Sequence, residues 1–245
     1  MVFSRLSNPG GRAVNEDCVG TAVFGDSFCF AVADGLGGHG GGDAASQAAV
    51  EAVCGLFAES GYSDAFFDRA FSLAQEEIVR QQQEGSRLHQ MRTTLVVLVL
   101  HGGKAFCAHV GDSRGYLFTR GKMKFHTVDH SVPQMLATLG EIREEDIRFH
   151  PDRNRLLAVL GDREEAPVPS VRKPVRISGF QAYLLCTDGF WELIDEREML
   201  RLLQQSDTPE QWLSAMEQVI LANGDENMDN YSAIAVFEEK KGLFG

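Results

Sequence analysis

Apolar runs of strand length alternate along the chain with segments whose apolar residues recur at helical spacing. The runs 19–24 and 28–33 flank the turn dipeptide Gly25-Asp26, which predicts a β-hairpin. From residue 43 to Gly61 the apolar residues keep the spacing of one helix face. A second amphipathic helix follows, and we expect Asp64 to cap it.

The middle of the chain is rich in strands. Runs 93–100, 104–110, 115–119 and 123–128 are joined by short turns, which predicts antiparallel neighbours. Segment 131–165 is less regular, with short helical pieces at 132–139 and 144–147. Because long irregular segments in compact domains usually carry function, we predict a flap here.

The last third returns to regular elements. Strands are predicted at 168–171, 181–186 and 231–237, and helices at 196–205 and 209–222, which begin after Asp195 and at Thr208-Pro209. Strands and helices come in groups rather than in strict alternation, which favours an α+β fold with mostly antiparallel sheets. No linker interrupts the chain, so we expect a single domain over residues 1–245.

Composition and charge narrow the function classes. The chain is 44% apolar and carries a net charge of −12, which argues against nucleic acid or an anionic membrane as a partner. The five cysteines form no C-x-x-C pair, which favours reduced thiols and a cytoplasmic location. The N-terminus shows no signal region, and no apolar run is long enough to cross a bilayer.

Three apolar strand-like runs end on an aspartate beside a glycine. Asp34 precedes Gly35, Asp112 follows Gly111, and Asp188 precedes a further glycine. Brought side by side in sheets with strands about 4.8 Å apart, the three carboxylates would repel one another and need cations. An all-oxygen site suits Mg²⁺ or Mn²⁺, whereas Zn²⁺ prefers histidine or thiolate.

Two other motifs occur in the wrong context. Residues 35–40 satisfy G-x-G-x-x-G, but the following helix leads to another helix instead of the second strand of a βαβ unit. Residues 111–115 satisfy G-x-S-x-G, but a strand follows where a nucleophile elbow needs a helix. A dinucleotide site and a serine hydrolase are therefore disfavoured.

The ordered motifs together resemble the metal-dependent serine/threonine protein phosphatases of type 2C, in their bacterial form. The matching residues are 12–17 (RAVNED), 33–39 (ADGLGGH), 93–95 (TTL), 110–114 (VGDSR), 129–131 (DHS), 150–154 (HPDRN), 186–189 (CTDG) and Asp229-Asn230. Each motif is weak alone, but the set covers nearly the whole chain in order. The resemblance implies a central antiparallel β-sandwich with helices packed on both outer faces, in four layers.

The resemblance also implies roles for individual residues, which hold two core Mn²⁺ or Mg²⁺ ions and a weaker third. Asp34 would bridge the two core ions, the Gly35 carbonyl would bind the first, and Asp188 and Asp229 would bind the second. Asp112, with Asp188, would bind the third ion. The remaining roles are water-mediated coordination by Glu16, support by Asp17 and Asn230, and binding of the substrate phosphate by Arg12.

The implied activity is hydrolysis of phosphoserine and phosphothreonine in proteins by a metal-activated water, opposing a bacterial kinase, in a monomer. Two alternatives stay open: a non-catalytic pseudophosphatase that serves as a binding module, and a hydrolase of small phosphoesters. The stretch 187–192 (TDGFWE) in so short a chain is similar to phosphatases encoded with type VI secretion systems.

The sequence departs from the family pattern at two positions. Leu36 stands where animal members carry a histidine proposed as general acid, so the leaving-group proton must come from elsewhere, with His39 a weak candidate. Arg92 stands where many relatives have glycine.

Overall fold

The structure is a computed structural model that describes residues 1–36, 41–83 and 90–240. The strands are β1 (Val2–Asn8), β2 (Asp17–Phe24), β3 (Ser27–Leu36), β4 (Arg92–Thr93), β5 (Leu95–His101), β6 (Lys104–Val110), β7 (Arg114–Thr119), β8 (Lys122–His126), β9 (Ser170–Val171), β10 (Val175–Arg176), β11 (Gly179–Cys186) and β12 (Tyr231–Lys240). The helices are α1 (Gly42–Ser60), α2 (Phe66–Gln81), α3 (Val132–Leu139), α4 (Asp188–Trp191), α5 (Glu196–Gln204) and α6 (Pro209–Asn223), with a 3₁₀ helix at Glu144–Phe149.

The strands form two antiparallel sheets. The first has the order β1-β12-β11-β7-β8, and the second has the order β10-β6-β5-β3-β2, with β4 paired to β3 and β9 to β6. The hairpin predicted around Gly25-Asp26 is the β2–β3 pair, in which Phe24 faces Ser27. Both ends of the chain's described part lie in one sheet, because β1 pairs with β12 along its whole length.

The sheets pack face to face and the helices cover their outer surfaces. Phe30 and Leu98 of the second sheet meet Tyr183 and Ile234 of the first in the central layer. Helices α1 and α2 pack on the second sheet, and α5 and α6 pack on the first. The four-layer α+β sandwich implied by the resemblance is thus confirmed, and its two outer cores follow from the amphipathic helix faces.

Three local predictions were incomplete or wrong. Strand β1 was not predicted, because its pattern of exposed and half-buried residues lacks a strong apolar face. Asp64 does not cap the second helix, since Ala65 occupies the N-cap position without a side-chain hydrogen bond. The strands before and after the Asp112 turn are not neighbours, because β6 lies in the second sheet and β7 in the first.

Segment 131–165 contains α3 and the 3₁₀ helix and is tied to the body of the protein. Thr93 N in β4 donates to Leu160 O at 3.1 Å, and Leu157 N donates to His130 O at 2.8 Å. Arg148 donates to the carbonyl oxygen of Trp191 at 2.7 Å. Among the described residues, no helix combines the length and apolar character that crossing a membrane would require.

Candidate metal centre

Asp34 lies inside β3, two residues before the strand ends at Leu36. Two threonines hold its backbone: Thr94 Oγ1 accepts from Asp34 N at 3.0 Å, and Thr93 Oγ1 donates to Asp34 O at 2.8 Å. Burial raises the pKa of the Asp34 carboxyl well above its ordinary value, and the charge of Asp188 raises it further. The backbone of Asp34 is therefore fixed, and its carboxyl group lies against that of Asp188.

Asp17 sits directly opposite Asp34 in the β2–β3 pair. Its Oδ2 accepts a hydrogen bond from Thr187 Oγ1 at 2.9 Å, whereas its buried Oδ1 has no partner. Burial raises the pKa of Asp17 to about 7, and the charge of Asp188 adds to the shift. An unpaired buried carboxylate oxygen is costly, so this side of the site calls for a cation or a proton.

Asp188 is the first residue of α4 and is separated from the end of β11 by Thr187 alone. Gly189 N donates to its Oδ1 at 2.6 Å. Burial is also the main cause that raises the pKa values of Asp188 and Asp112, and for Asp112 the charge of Asp188 comes second. Asp34, Asp112 and Asp188 thus perturb one another, as three carboxyls crowded together must.

The carboxylate cluster forms by a different route from the one the strand pattern predicted. In the second sheet β5 separates β3 from β6, so Asp34 and Asp112 do not come from neighbouring strands. Asp188 follows β11, which belongs to the first sheet. The carboxylates therefore meet where the two sheets face each other, and no single sheet edge holds them.

Gly35 is enclosed by backbone. A Cβ at this position would lie 2.1 Å from Gly42 O and 2.5 Å from Glu16 O, so a side chain does not fit without backbone movement. Gly35 N donates to Glu16 O at 3.1 Å, which places Glu16 beside the end of β3. Burial raises the pKa of Glu16, and the negative charges of Asp43 and Asp229 raise it further.

Asn230 joins the N-terminal loop to the start of β12. Its Oδ1 accepts from Glu16 N at 2.8 Å, and its Nδ2 donates to Pro9 O and Val14 O at 2.9 and 3.0 Å. Arg12 lies in the loop that these bonds hold, and its guanidinium contacts Asp229 Oδ2 at 2.9 Å. The structure therefore brings the Arg12 side chain to the acidic cluster, at its exposed rim.

Arg12, Asp188 and Asp229 line a cavity of about 350 Å³. The flap contributes two residues that had no predicted role, Arg153 and Asn154. Arg153 Nε donates to Glu192 Oε2 at 3.0 Å, and burial together with the charge of Asp188 raises the pKa of Glu192 to about 7. The motif 150–154 was the only sequence signal for this wall.

A buried ion pair behind the cluster was also missed. Arg114 donates to both carboxylate oxygens of Asp129, at 2.9 and 2.7 Å, and its guanidinium lies 3.5 Å from the ring centroid of Trp191. Trp191 Nε1 in turn donates to Asp112 O at 3.0 Å. These contacts fix the backbone of the Asp112 turn. The only sequence signal for Arg114, Asp129 and Trp191 was that they lie within motifs that resemble those of the family.

The two departures from the family pattern fall on different kinds of position. Leu36 is half-buried at the end of β3, whereas Arg92 is exposed in β4 directly opposite it. His39, the weak candidate for a general acid, lies outside the described residues.

The chemistry of this donor set fits hard divalent cations. Buried carboxyls with raised pKa values and one orphaned oxygen, Asp17 Oδ1, would be relieved by a cation that prefers oxygen. Within the described ranges, no group of three or more Asp, Glu, His or Cys side chains could hold a metal ion as it stands. The type of donor atom thus fits a hard divalent cation, but the described side chains are not arranged around one, and the assignment of ligands is a proposal.

The family model for protein phosphatase 2C matches residues 10–231 of the chain. The chain belongs to the protein phosphatase 2C family. It is 33% identical over 213 residues to the serine/threonine phosphatase stp of Listeria innocua, which covers 84% of this chain and 82% of that protein. It is 31% identical over 219 residues to the serine/threonine protein phosphatase PstP of Mycobacterium tuberculosis, or 89% of this chain. The match spans only 41% of the mycobacterial protein's length.

Solved structures of the same family superpose over nearly the whole chain. The catalytic domain of PstP in complex with two manganese ions has a TM-score of 0.78 at 27% identity, over 97% of this chain and 98% of that one. PppA of Pseudomonas aeruginosa, described as a key regulatory component of its type VI secretion system, has a TM-score of 0.79 at 26% identity, over 98% and 97%.

Proposed function

We propose that the protein hydrolyses phosphoserine and phosphothreonine in proteins with the help of bound Mn²⁺ or Mg²⁺. The observation that carries this proposal is the meeting of Asp34, Asp112 and Asp188 between the two sheets, below a cavity with Arg12 at its rim. A carboxylate cluster beside an open cavity with an adjacent guanidinium suits metal-assisted phosphoester hydrolysis. The family membership and the names of the relatives support the same reaction.

The ligand assignment is part of the proposal. Asp34 and the Gly35 carbonyl would hold one ion with Glu16 nearby, while Asp188 and Asp229 would hold the second. Asp112, with Asp188, would hold a weaker third ion. When bound, such cations act as Lewis acids that activate water and polarise the phosphoester. The manganese complex of a family member supports two ions of this class.

The chain's own residues supply binding and orientation. Arg12 forms an ion pair with Asp229 at the exposed rim. If a cation were bound to Asp229, the planar guanidinium of Arg12 would be free to bind the substrate phosphate. Asn230 holds the Arg12 loop through its bonds to Pro9 O and Val14 O. Leu36 has no proton to give, so leaving-group protonation falls to another group or to solvent.

The first prediction concerns metal dependence and Asp188. Hydrolysis of a phosphothreonine peptide should require Mn²⁺ or Mg²⁺ and stop with chelator, and Asp188→Asn should lower kcat/KM on the order of 100-fold. The matched control Asp207→Asn, an exposed aspartate next to the cap of α6, should keep wild-type activity. Equal rates with metal and with chelator would contradict the reaction.

The same assay separates the remaining alternatives. A pseudophosphatase would bind phosphopeptides without releasing phosphate, and a hydrolase of small phosphoesters would prefer phosphorylated metabolites to phosphopeptides.

We further infer a single catalytic domain over residues 1–245 with a flap at 131–165, a monomeric state in the cytoplasm and a serine/threonine kinase as counterpart. A link to type VI secretion is supported only by the likeness to PppA and stays a prediction.

A further inference from the structure

A groove of about 280 Å³ opens on the flap side of the candidate metal centre. Its wall is mainly aliphatic and is formed by Leu36 and by residues 156–159. Its polar groups are Arg92, Asn154 and Asp162. The groove thus combines an aliphatic wall with one cation, one carboxylate and one amide.

The groove lies next to the cavity that is lined by Arg12 and Asp188. Asn154 lines both of them. Leu36 follows Asp34 by two positions in β3, so the groove begins about 7 Å along the strand from Asp34. An extended peptide advances about 3.3 Å per residue, so residues two to four positions from a phosphate bound beside Asp34 would reach this groove.

The backbone under Arg92 is fixed on both sides. Arg92 pairs with Leu36 in the β3–β4 register. The next residue, Thr93, exchanges hydrogen bonds with Leu160 of the flap at 3.1 and 2.9 Å. The Arg92 side chain therefore projects from a short strand held between β3 and the flap, which suits a recognition residue.

The charge of Arg92 is not used inside the described part of the chain. Its exposed side chain makes no ion pair or hydrogen bond there, whereas Arg12 and Arg153 both contact carboxylates. The other charge in the groove, Asp162, accepts a hydrogen bond from Glu164 N at 2.9 Å through its Oδ1. With a net charge of −12, the protein repels acidic peptides at long range, so a local cation decides where an acidic group can rest.

We propose that this groove binds the substrate segment beside the phosphorylated residue, and that Arg92 selects an acidic side chain two to four residues away. This inference rests on the proposed function and adds a substrate class to it: phosphoproteins with an acidic residue near the phosphoserine or phosphothreonine. The aliphatic wall contacts the apolar parts of the substrate's side chains, and the charge of Arg92 distinguishes substrates with an acidic residue at this position from those without one.

The test compares matched phosphothreonine peptides that carry Glu, Gln or Lys at positions two to four on either side of the phosphothreonine. At low salt the wild type should prefer one Glu peptide over its Gln partner by about two- to fivefold in kcat/KM, the size expected of an exposed ion pair. The preference should appear in KM and fade as salt is raised. In Arg92→Gln the ratio should fall to about one, and in Arg92→Glu the Lys peptide should become the preferred one.

Arg197→Gln is the matched control, because it removes the same charge from an exposed position on α5, which packs on the other sheet. It should keep the wild-type ratios. Because each ratio compares two peptides on one variant, reduced folding or activity cannot produce the expected pattern. Equal kcat/KM for the Glu and Gln peptides at every position, with normal metal-dependent turnover, would overturn this inference alone. No turnover of any phosphopeptide would overturn the proposed function instead.

Discussion

At Gly35 the surrounding backbone leaves no room for a Cβ atom. Its missing Cβ leaves room for the carbonyl groups of Gly42 and Glu16, which approach from α1 and from the chain before β2. By contrast Gly55, exposed within α1, has no atom within 4 Å of the place where a methyl group would sit. A methyl group is therefore excluded at Gly35 and accommodated at Gly55.

The second prediction follows from this contrast. Gly35→Ala should lower the free energy of unfolding by about 1 to 3 kcal/mol, because the added methyl group forces backbone atoms apart. Gly55→Ala should raise it by about 0.5 to 1 kcal/mol, because alanine is the better helix former. Urea unfolding followed by circular dichroism measures both, and a Gly35→Ala protein as stable as the wild type would refute the close approach.

His130 is a second residue whose surroundings set its chemistry. Its ring stacks on His109 with centroids 4.7 Å apart, Gly111 N donates to its Nδ1 at 3.2 Å, and its Nε2 lies 2.8 Å from Ser170 Oγ. Burial lowers the pKa of His130 to about 4, and the neighbouring His109 lowers it further. Burial also lowers the pKa of His109.

The third prediction is a pH dependence of stability. Unfolded histidine binds a proton near pH 6.5, whereas folded His130 does so only near pH 4, so the unfolded state binds more protons between these values. The contribution of His130 to stability should therefore fall as pH drops from 6.5 to 4. His130→Gln lacks this contribution. The difference in unfolding free energy between variant and wild type should therefore narrow from pH 8 to pH 5 in urea titrations. A difference that stays constant over this range would contradict the assignment.

At the scale of elements, the N-terminal ends of the helices show which capping residues could be predicted from the sequence. Asp195 Oδ1 accepts from Glu198 N at 2.8 Å, and Thr208 Oγ1 accepts from Gln211 N at 3.2 Å, as the sequence predicted for α5 and α6. Asp64 looked equally suitable, but α2 begins one residue too late for its side chain to reach the free amides. The packing of Phe66 and Phe67 in the core accompanies that start.

The fourth prediction compares these caps. Asp195→Ala and Thr208→Ala should each cost about 1 kcal/mol in unfolding free energy, because each leaves a helix amide without its acceptor. Asp64→Ala should change it by less than about 0.5 kcal/mol, as an exposed substitution that removes no cap bond. Thermal or urea unfolding of the three variants provides the measurement, and an equal cost at Asp64 would show that it caps α2 after all.

At the scale of the whole molecule, the carboxylate cluster lies where the two sheets meet. Asp34 comes from the second sheet, while Asp188 follows a strand of the first and Asp229 precedes another. Without a cation, the repulsion among these groups opposes the packing of the sheets at this end. A bound cation would therefore connect both halves of the sandwich.

The fifth prediction is that divalent cations stabilise the fold. At 100 times its dissociation constant, Mn²⁺ adds about 2.7 kcal/mol by linkage, which raises the melting temperature by roughly 5 to 11 °C for a protein of this size. The shift should be much smaller in Asp188→Asn and unchanged in Asp207→Asn. Scanning calorimetry with and without Mn²⁺ tests this independently of activity, and equal shifts in both variants would argue against Asp188 as a ligand.

Local sequence patterns were enough to predict the fold class, most helices and strands, and the residue types of the site. Apolar periodicity is a local property, so the β2–β3 hairpin and the helices α1, α5 and α6 could be predicted from it directly. The carboxylates and Arg12 were visible because apolar runs that end on aspartate and glycine are uncommon, and because their order matched a family. The match of the family model over residues 10–231 confirms that family.

Which residues meet in space depends on the packing of the two sheets and could not be predicted from local patterns. The strand pattern placed the aspartates at the ends of strands lying side by side, but long-range pairing put β6 and β7 in different sheets and brought the carboxylates together across the sandwich. The Arg114–Asp129 pair, the Arg153–Glu192 contact and the groove beside Arg92 join residues that are separated in the chain. Such contacts arise only when the sheets pack, and local periodicity carries no information about that packing.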